Sequence, residues 1–219
     1  MICIIPARGG SKRLPRKNIL PFRGKPLVSH VIETSLATKA FDNVIVSTED
    51  QNIAEIAHSA GAHVHERKVD LASDISSVVD VCSDVLDSHY ADNFCCIYAT
   101  SVLLSASTLS NALDIYKKER LSGCSSLMGV SKYNFHPVQA LFQREDGFWE
   151  MLCKNFKGKR SQEYPDTKVS NGTFYIADTQ IFQKEATFYT SNLKTIEVPE
   201  HEVCDLDYPN DYDTLLTKE

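Results

Sequence analysis

Residues 1–32 contain no carboxylate. The same segment carries Arg8, Lys12, Arg13, Arg16, Lys17, Arg23 and Lys25, in a chain of formal net charge -6. Crowded like charges repel unless an anion sits among them. The segment therefore predicts a specific anionic ligand, while the acidic balance elsewhere excludes wholesale binding to nucleic acid or to an anionic membrane surface. No stretch approaches the ~20 apolar residues of a membrane helix. The opening apolar run is too short for a signal h-region and follows no charged segment, so a soluble cytoplasmic protein is expected. The seven cysteines are scattered, Cys95 and Cys96 are adjacent, and no pair has C-x-x-C spacing. Neither a disulfide framework nor a zinc site is predicted, and reduced thiols are. No G-K-[ST] closes the basic loop and no G-x-G-x-x-G occurs, which excludes the P-loop and the dinucleotide fingerprint.

What is present is a rhythm. At 219 residues and 42% hydrophobic the chain can bury one substantial core. Apolar strand-like runs at 1–6, 43–47, 62–65 and 94–99 alternate with amphipathic stretches at 27–37, 51–59, 76–88 and 107–120. This is the βαβα pattern of an α/β protein with a mostly parallel sheet. The run at 94–99 suits the centre of a parallel sheet buried on both faces, and Ser107 or Thr108 is the expected cap of the helix that follows. A strand is expected at 124–131. From 133 to 170 aromatics, charges and prolines lack a period, which predicts an excursion from the sheet. Strands at 174–177 and 194–198 and a short helix from about 210 complete the expectation.

A phosphate chain needs several N–H donors and fixed cations. A glycine-bearing loop leaving a parallel strand supplies both where α/β ligands bind. The loop Ile4-Ile5-Pro6-Ala7-Arg8-Gly9-Gly10-Ser11-Lys12-Arg13-Leu14-Pro15-Arg16-Lys17-Asn18 fits that need. Its bland alternative is a solvated basic turn. Asp205 and Asp207 stand at i and i+2, a spacing that on an extended segment turns both carboxylates to one face, as a hard divalent cation requires. An ordinary polar strand end has the same spacing. His63 and His65 could be drawn as a metal pair, but strand-edge histidines are the ordinary explanation.

The loop closely resembles the signature of the acylneuraminate cytidylyltransferases, the CMP-sialic acid synthetase family. The resemblance continues through Phe41-Asp42-Asn43-Val44-Ile45-Val46-Ser47-Thr48, Arg67 with Asp70-Leu71-Ala72-Ser73-Asp74, Tyr98-Ala99-Thr100-Ser101, His136-Pro137, Asn171-Gly172-Thr173-Phe174-Tyr175-Ile176 and Asp205-Leu206-Asp207. It implies a single three-layer, Rossmann-like nucleotidyltransferase domain over 1–219, of the nucleotide-diphospho-sugar transferase type, with 133–170 as a dimerisation arm. Ala7, Arg8, Gly9, Gly10, Ser11, Lys12, Lys17, Asn18, Arg67 and Ser77 are then expected around CTP. Asp205 and Asp207 match the family's D-x-D magnesium ligands, and Arg8, Lys12, Lys17 and Asp207 are the expected catalytic groups. Tyr98, Thr100, Asn171, Phe188 and Tyr189 are expected near the sugar, and Arg160 and Gln162 on the arm would face a neighbour's sugar carboxylate in a homodimer.

The pattern breaks where the sugar is chosen. Sialate-activating members usually have glutamine where Tyr98 stands and continue Thr-Ser-Pro-Leu-Arg, against Thr100-Ser101-Val102-Leu103-Leu104 here. A phenol makes a larger, more apolar wall than an amide. That fits a nine-carbon acid sugar with fewer hydroxyls and more methyl or acyl groups, and it resembles the branch activating pseudaminic or legionaminic acid. The rivals are a CMP-Kdo synthetase and a non-catalytic CTP-sensing module on the same fold. Lys17-Asn18 after the proline, in place of a glycine-lysine pair, favours the nonulosonate branch over the first. Alternatively the excursion is a surface lid without a partner.

Overall fold

In a computed structural model, residues 1–218 are described. The first apolar run forms β1 (Ile2–Pro6). The basic loop follows, then a small ribbon, β2 (Pro21–Phe22) with β3 (Lys25–Pro26), and α1 (Leu27–Ala37). Next come β4 (Asn43–Thr48), α2 (Gln51–Ser59), β5 (His63–Glu66), α3 (Val78–Ser88), β6 (Asn93–Ile97) and α4 (Ala106–Arg120). The rest is β7 (Ser126–Lys132), β8 (Leu141–Gln143), β9 (Trp149–Met151), β10 (Lys168–Asp178), α5 (Thr179–Glu185), β11 (Leu193–Glu197) and α6 (Pro209–Leu216).

Period-two alternation divides the core into two faces. Cys3, Ile5, Val44, Val46, Cys95 and Ile97 pack with α1, α2 and α4, whereas Ile2, Ile4, Ile45, Phe94 and Cys96 pack with α3 and α5. The seven-stranded sheet runs β11-β7-β10-β6-β1-β4-β5. β10 lies antiparallel between β6 and β7, and the other pairings are parallel. The chain passes from β1 to β4 and β5 on one side, then returns to β6 on the other. This reversal opens a crevice at the carboxyl ends of β1 and β6, where open α/β sheets bind ligands.

Several boundaries differ from expectation. The run at 94–99 ends as a strand at Ile97, because Ser101 N–H donates to Tyr98 O (2.9 Å) and turns the chain out. One of its neighbours, β10, is antiparallel. Ser105, rather than Ser107 or Thr108, caps α4: its Oγ accepts Thr108 N–H (3.1 Å) and donates to Glu202 Oε1 (2.9 Å), a carboxylate delivered from far along the chain. The strand expected at 174–177 begins at Lys168, since the polar run before it pairs with β7 from Lys132 to Val130; the register then shifts between Ser170 and Tyr175. The excursion is built, with β8 and β9 forming a ribbon of their own. Among the described residues no helix is long and apolar enough to cross a membrane.

Candidate active site

The basic loop is fixed at three points. Ala7 N–H donates to Ser47 O at 3.0 Å, which extends the β1–β4 ladder by one residue. Gly9 N–H donates to Glu49 Oε1 at 2.8 Å. Buried Asn18 donates from Nδ2 to Arg8 O at 2.9 Å, which ties the two ends of the loop together. Gly9 has a steric reason to be glycine, for an added Cβ would lie 2.5 Å from Asp50 Oδ2.

Two carboxylates hold the cations. Arg8 Nη1 lies 2.9 Å from Asp74 Oδ1 and donates to Ser73 O at 3.0 Å, and Lys12 also pairs with Asp74. Arg13 Nη1 lies 2.8 Å from Asp207 Oδ2, and Lys17 Nζ lies 3.3 Å from Asp207 Oδ1 while donating to Leu206 O at 2.9 Å. The Lys12 hydrogen bond, aided by Arg8, holds the Asp74 carboxyl below the usual range. The sequence thus ends its acid-free stretch by borrowing acids from positions 74 and 207.

Of these groups Arg8, Arg13, Lys17 and Asp74 border a cavity of about 410 Å³ at the β1–β6 crevice, within the size range of small-ligand sites. Lys12 and Asp207 are outside its lining and are tied to it by their ion pairs. Arg8, Arg13, Lys17 and Asn18 line one part, Arg67 and Ser77 another, and Tyr98 and Thr100 a third. Arg67 is only 5% exposed. It donates from Nη2 to Ser47 O (2.6 Å) and from Nε to Ser47 Oγ (3.2 Å). Burial lowers its pKa, and the nearby Glu49 carboxylate opposes that shift. Glu49 keeps a buried Oε2 without a hydrogen bond. The carboxylate thus offsets part of the cost of burying the guanidinium.

Five of the ten expected nucleotide residues, Arg8, Lys17, Asn18, Arg67 and Ser77, line the cavity, and the other five stand in the loop outside its lining. Ala7 contributes backbone, Gly10 is exposed, and Ser11 N–H closes a turn on Gly9 O at 3.1 Å. The Ser77 hydroxyl is engaged as the α3 cap, accepting Asp80 N–H at 3.1 Å and donating to Asp80 Oδ2 at 2.7 Å. On the side expected to face the sugar, the Tyr98 ring packs edge-on against Tyr175 at 5.8 Å, and burial pushes its hydroxyl pKa up. Gly172, at φ +68°, approaches the same ring so closely that a Cβ there would sit 3.4 Å from it.

Other expected sugar contacts lie apart from the cavity lining. Asn171 donates to Ser131 Oγ (3.1 Å) and accepts Thr173 N–H (3.2 Å), stabilising the irregular part of β10. Phe188 is buried and stacks on Tyr175 at 4.7 Å, whereas Tyr189 is exposed. Arg160 and Gln162 are exposed on the excursion, with Arg160 Nε 3.4 Å from Glu163. Asp74 and Glu49 were not foreseen as site residues; Asp74 stood in a quoted motif, but nothing local signals its long-range partners.

Asp205 is exposed and Asp207 half-buried, on either side of buried Leu206. Among the described residues no three His, Cys, Asp or Glu side chains gather into a protein-only metal cage. Two carboxylates near a cationic cavity, one of them now paired with Arg13 and Lys17, nevertheless suit Mg²⁺, which usually takes one or two carboxylates and completes its shell with water and substrate phosphates.

A family model described as Cytidylyltransferase matches residues 2–209. The chain is 34% identical over 212 residues to a pseudaminic acid cytidylyltransferase of Campylobacter jejuni, covering 94% of this chain and 90% of that one. It is 30% identical over 228 residues to the CMP-N,N'-diacetyllegionaminic acid synthase of Legionella pneumophila, covering 97% and 93%. A solved structure of CMP:2-keto-3-deoxy-manno-octonic acid synthetase complexed with CTP matches with a TM-score of 0.74, over 99% of this chain and 97% of that one. At 18% identity that likeness is one of fold.

Proposed function

The chain belongs to the cytidylyltransferase family, and on that premise we propose that it activates a nine-carbon 2-keto acid sugar of the pseudaminic or legionaminic type, converting CTP and sugar to CMP-sugar and pyrophosphate. The observation that carries this reading is the single cavity in which Arg8, Arg13, Lys17 and Arg67 meet the Tyr98 wall. A polyanion and a sugar with apolar substituents would lie side by side there.

The anomeric oxygen attacks the α-phosphorus, a new P–O bond forms, and the bond to the β-phosphate oxygen breaks with its electron pair leaving on pyrophosphate. The hydroxyl proton passes to an aspartate or to water. Arg8, Lys12, Arg13 and Lys17 bind and neutralise the phosphate oxygens, because in-line placement and charge compensation supply most of the catalysis in such transfers. Gly9, Gly10 and Ser11 shape the turn, Asn18 holds it closed, and Arg67 and Ser77 border the nucleotide. Asp205 and Asp207 would hold Mg²⁺, which supplies polarisation of the α-phosphate and a lowered pKa for the attacking hydroxyl.

The excursion is the proposed homodimer arm. Phe135 (86% exposed), Trp149 (63%), Phe148 and Leu152 present apolar surface on and around the β8–β9 ribbon, more than an isolated ribbon leaves to water without a partner. Seated on a second copy, the arm would offer Arg160 and Gln162 to that copy's sugar. A cytoplasmic location follows from its use of CTP.

The test is pyrophosphate release from CTP with Mg²⁺ and a panel of pseudaminic, legionaminic, N-acetylneuraminic and Kdo acids. Turnover of the first or second is expected. Turnover of Kdo alone would assign a CMP-Kdo synthetase, and CTP binding without pyrophosphate release on any sugar would assign a nucleotide sensor.

A further inference from the structure

Arg67 is the end of a buried polar chain. Its guanidinium can only donate, and Nε–H donates to Ser47 Oγ at 3.2 Å. That leaves the single Ser47 hydroxyl proton for its other neighbour, His65 Nδ1, also at 3.2 Å. Nδ1 can accept only if the ring proton sits on Nε2. Nε2 lies 3.6 Å from Asp84 Oδ2, a buried oxygen with no hydrogen bond, while Asp84 Oδ1 pairs with Lys68. The hydrogen bonds run in one direction, from Arg67 through Ser47 to His65, whose Nε2 faces the Asp84 carboxylate without bonding it. This gives the buried histidine of the 63/65 pair an occupation other than metal binding.

We propose that His65, facing Asp84, is a positioning residue for Arg67, acting through the Ser47 hydroxyl so that the Nε side of the guanidinium, whose Nη2 is anchored separately on Ser47 O, keeps its aim toward the nucleotide only while the imidazole is neutral. The proposal rests on the reading of the cavity as a CTP site. Groups facing the imidazole come from three places: Asp84 on α3, His89 at the end of that helix, and Arg67 with Lys68 after β5. Asp84 favours the imidazolium and the other three oppose it; burial, the largest influence, pushes the pKa down from its ordinary 6.5. Protonation would place an N–H where Nδ1 now accepts, forcing the Ser47 hydroxyl to turn, and would add a cation to the chain that ends at Arg67.

The experiment is CTP affinity by calorimetry from about pH 7.5 to about pH 4.5, reaching below the ordinary histidine range because burial depresses this imidazole, for wild type, His65→Gln and His65→Leu. Glutamine keeps an acceptor for Ser47 and never charges. At pH 7.5 His65→Gln is expected within about twofold of wild type, and His65→Leu about tenfold weaker, the scale of one hydrogen bond to a charged group. The γ-phosphate of CTP titrates equally against every variant, so the readout is the ratio of dissociation constants. The wild-type to His65→Gln ratio is expected to rise as pH falls. A ratio constant across the range would overturn the proposal, even if His65→Leu fails to fold. Wild type that binds no CTP at any pH would instead sink the functional reading, and this inference with it.

Discussion

Gly9 and Gly10 are indistinguishable as letters in the loop, yet the structure gives them opposite tolerances. A methyl group at Gly9 would lie 2.5 Å from Asp50 Oδ2, 2.8 Å from its Cβ and 3.0 Å from its Cγ; at Gly10 it would meet nothing within 4 Å. Asp50 cannot swing aside freely, because Oδ1 caps α2 by accepting Asn52 N–H (2.9 Å) and Ile53 N–H (3.0 Å). Losing that cap costs about 1 kcal/mol. If the loop lifts instead, the Gly9 hydrogen bond to Glu49 is lost, at about 1.5–3 kcal/mol for a charged acceptor. Gly9→Ala should therefore destabilise by about 1–3 kcal/mol, a fall of about 2–12 °C in Tm for a chain of this size. KM for CTP should rise as the loop shifts. Gly10→Ala should leave both quantities near wild type. The assays are scanning calorimetry and initial rates of pyrophosphate release. Equal Tm and KM for the two variants would refute the packing argument.

Lys17→Ala should lower turnover about 100-fold or more, the scale of losing one preorganised charge contact, and an unchanged rate would remove the loop from the mechanism. Asp74→Asn should tighten binding of CTP and of pyrophosphate, about threefold, because the carboxylate now holding Arg8 and Lys12 competes with phosphate for them; weaker binding in calorimetry would show instead that Asp74 orients those cations. Trp149→Glu should yield a monomer by light scattering, with the fold intact by circular dichroism. His65 also makes a prediction for stability. Its folded pKa lies below the unfolded 6.5, so the unfolded chain binds more protons in that interval. Stability should be full above pH 6.5 and decline as pH falls through it, and thermal melts of His65→Gln should lack that component.

The layers were legible because alternation is local: Cys3 and Ile5 face one core and Ile2 and Ile4 the other, as period two requires. The loop was legible because cations without acids are a local signal too. What escaped was contact between distant positions. Glu202 set the start of α4, β7 recruited an unpatterned polar run into β10, and Asp74 came to the loop from sixty-odd residues on. The excursion could be located as a break in rhythm, but its ribbon lies among residues whose apolar side chains point to water, where a burial pattern has nothing to report. Glu49 offered no signal, since one acid after a strand is ordinary.

The two feet of the excursion stand on neighbouring strands, with Lys132 paired to Lys168 in the ladder. A few residues beyond the second foot, β10 breaks register and carries Gly172 under the Tyr98 ring. The excursion thus continues directly into the strand that backs the Tyr98 side of the cavity. Hydrogen-bonded backbone, rather than a loose tether, joins the foot of the excursion to the aromatic side of the cavity. A graft of the whole 133–170 segment from a relative would consequently change the selectivity of the pocket along with the assembly.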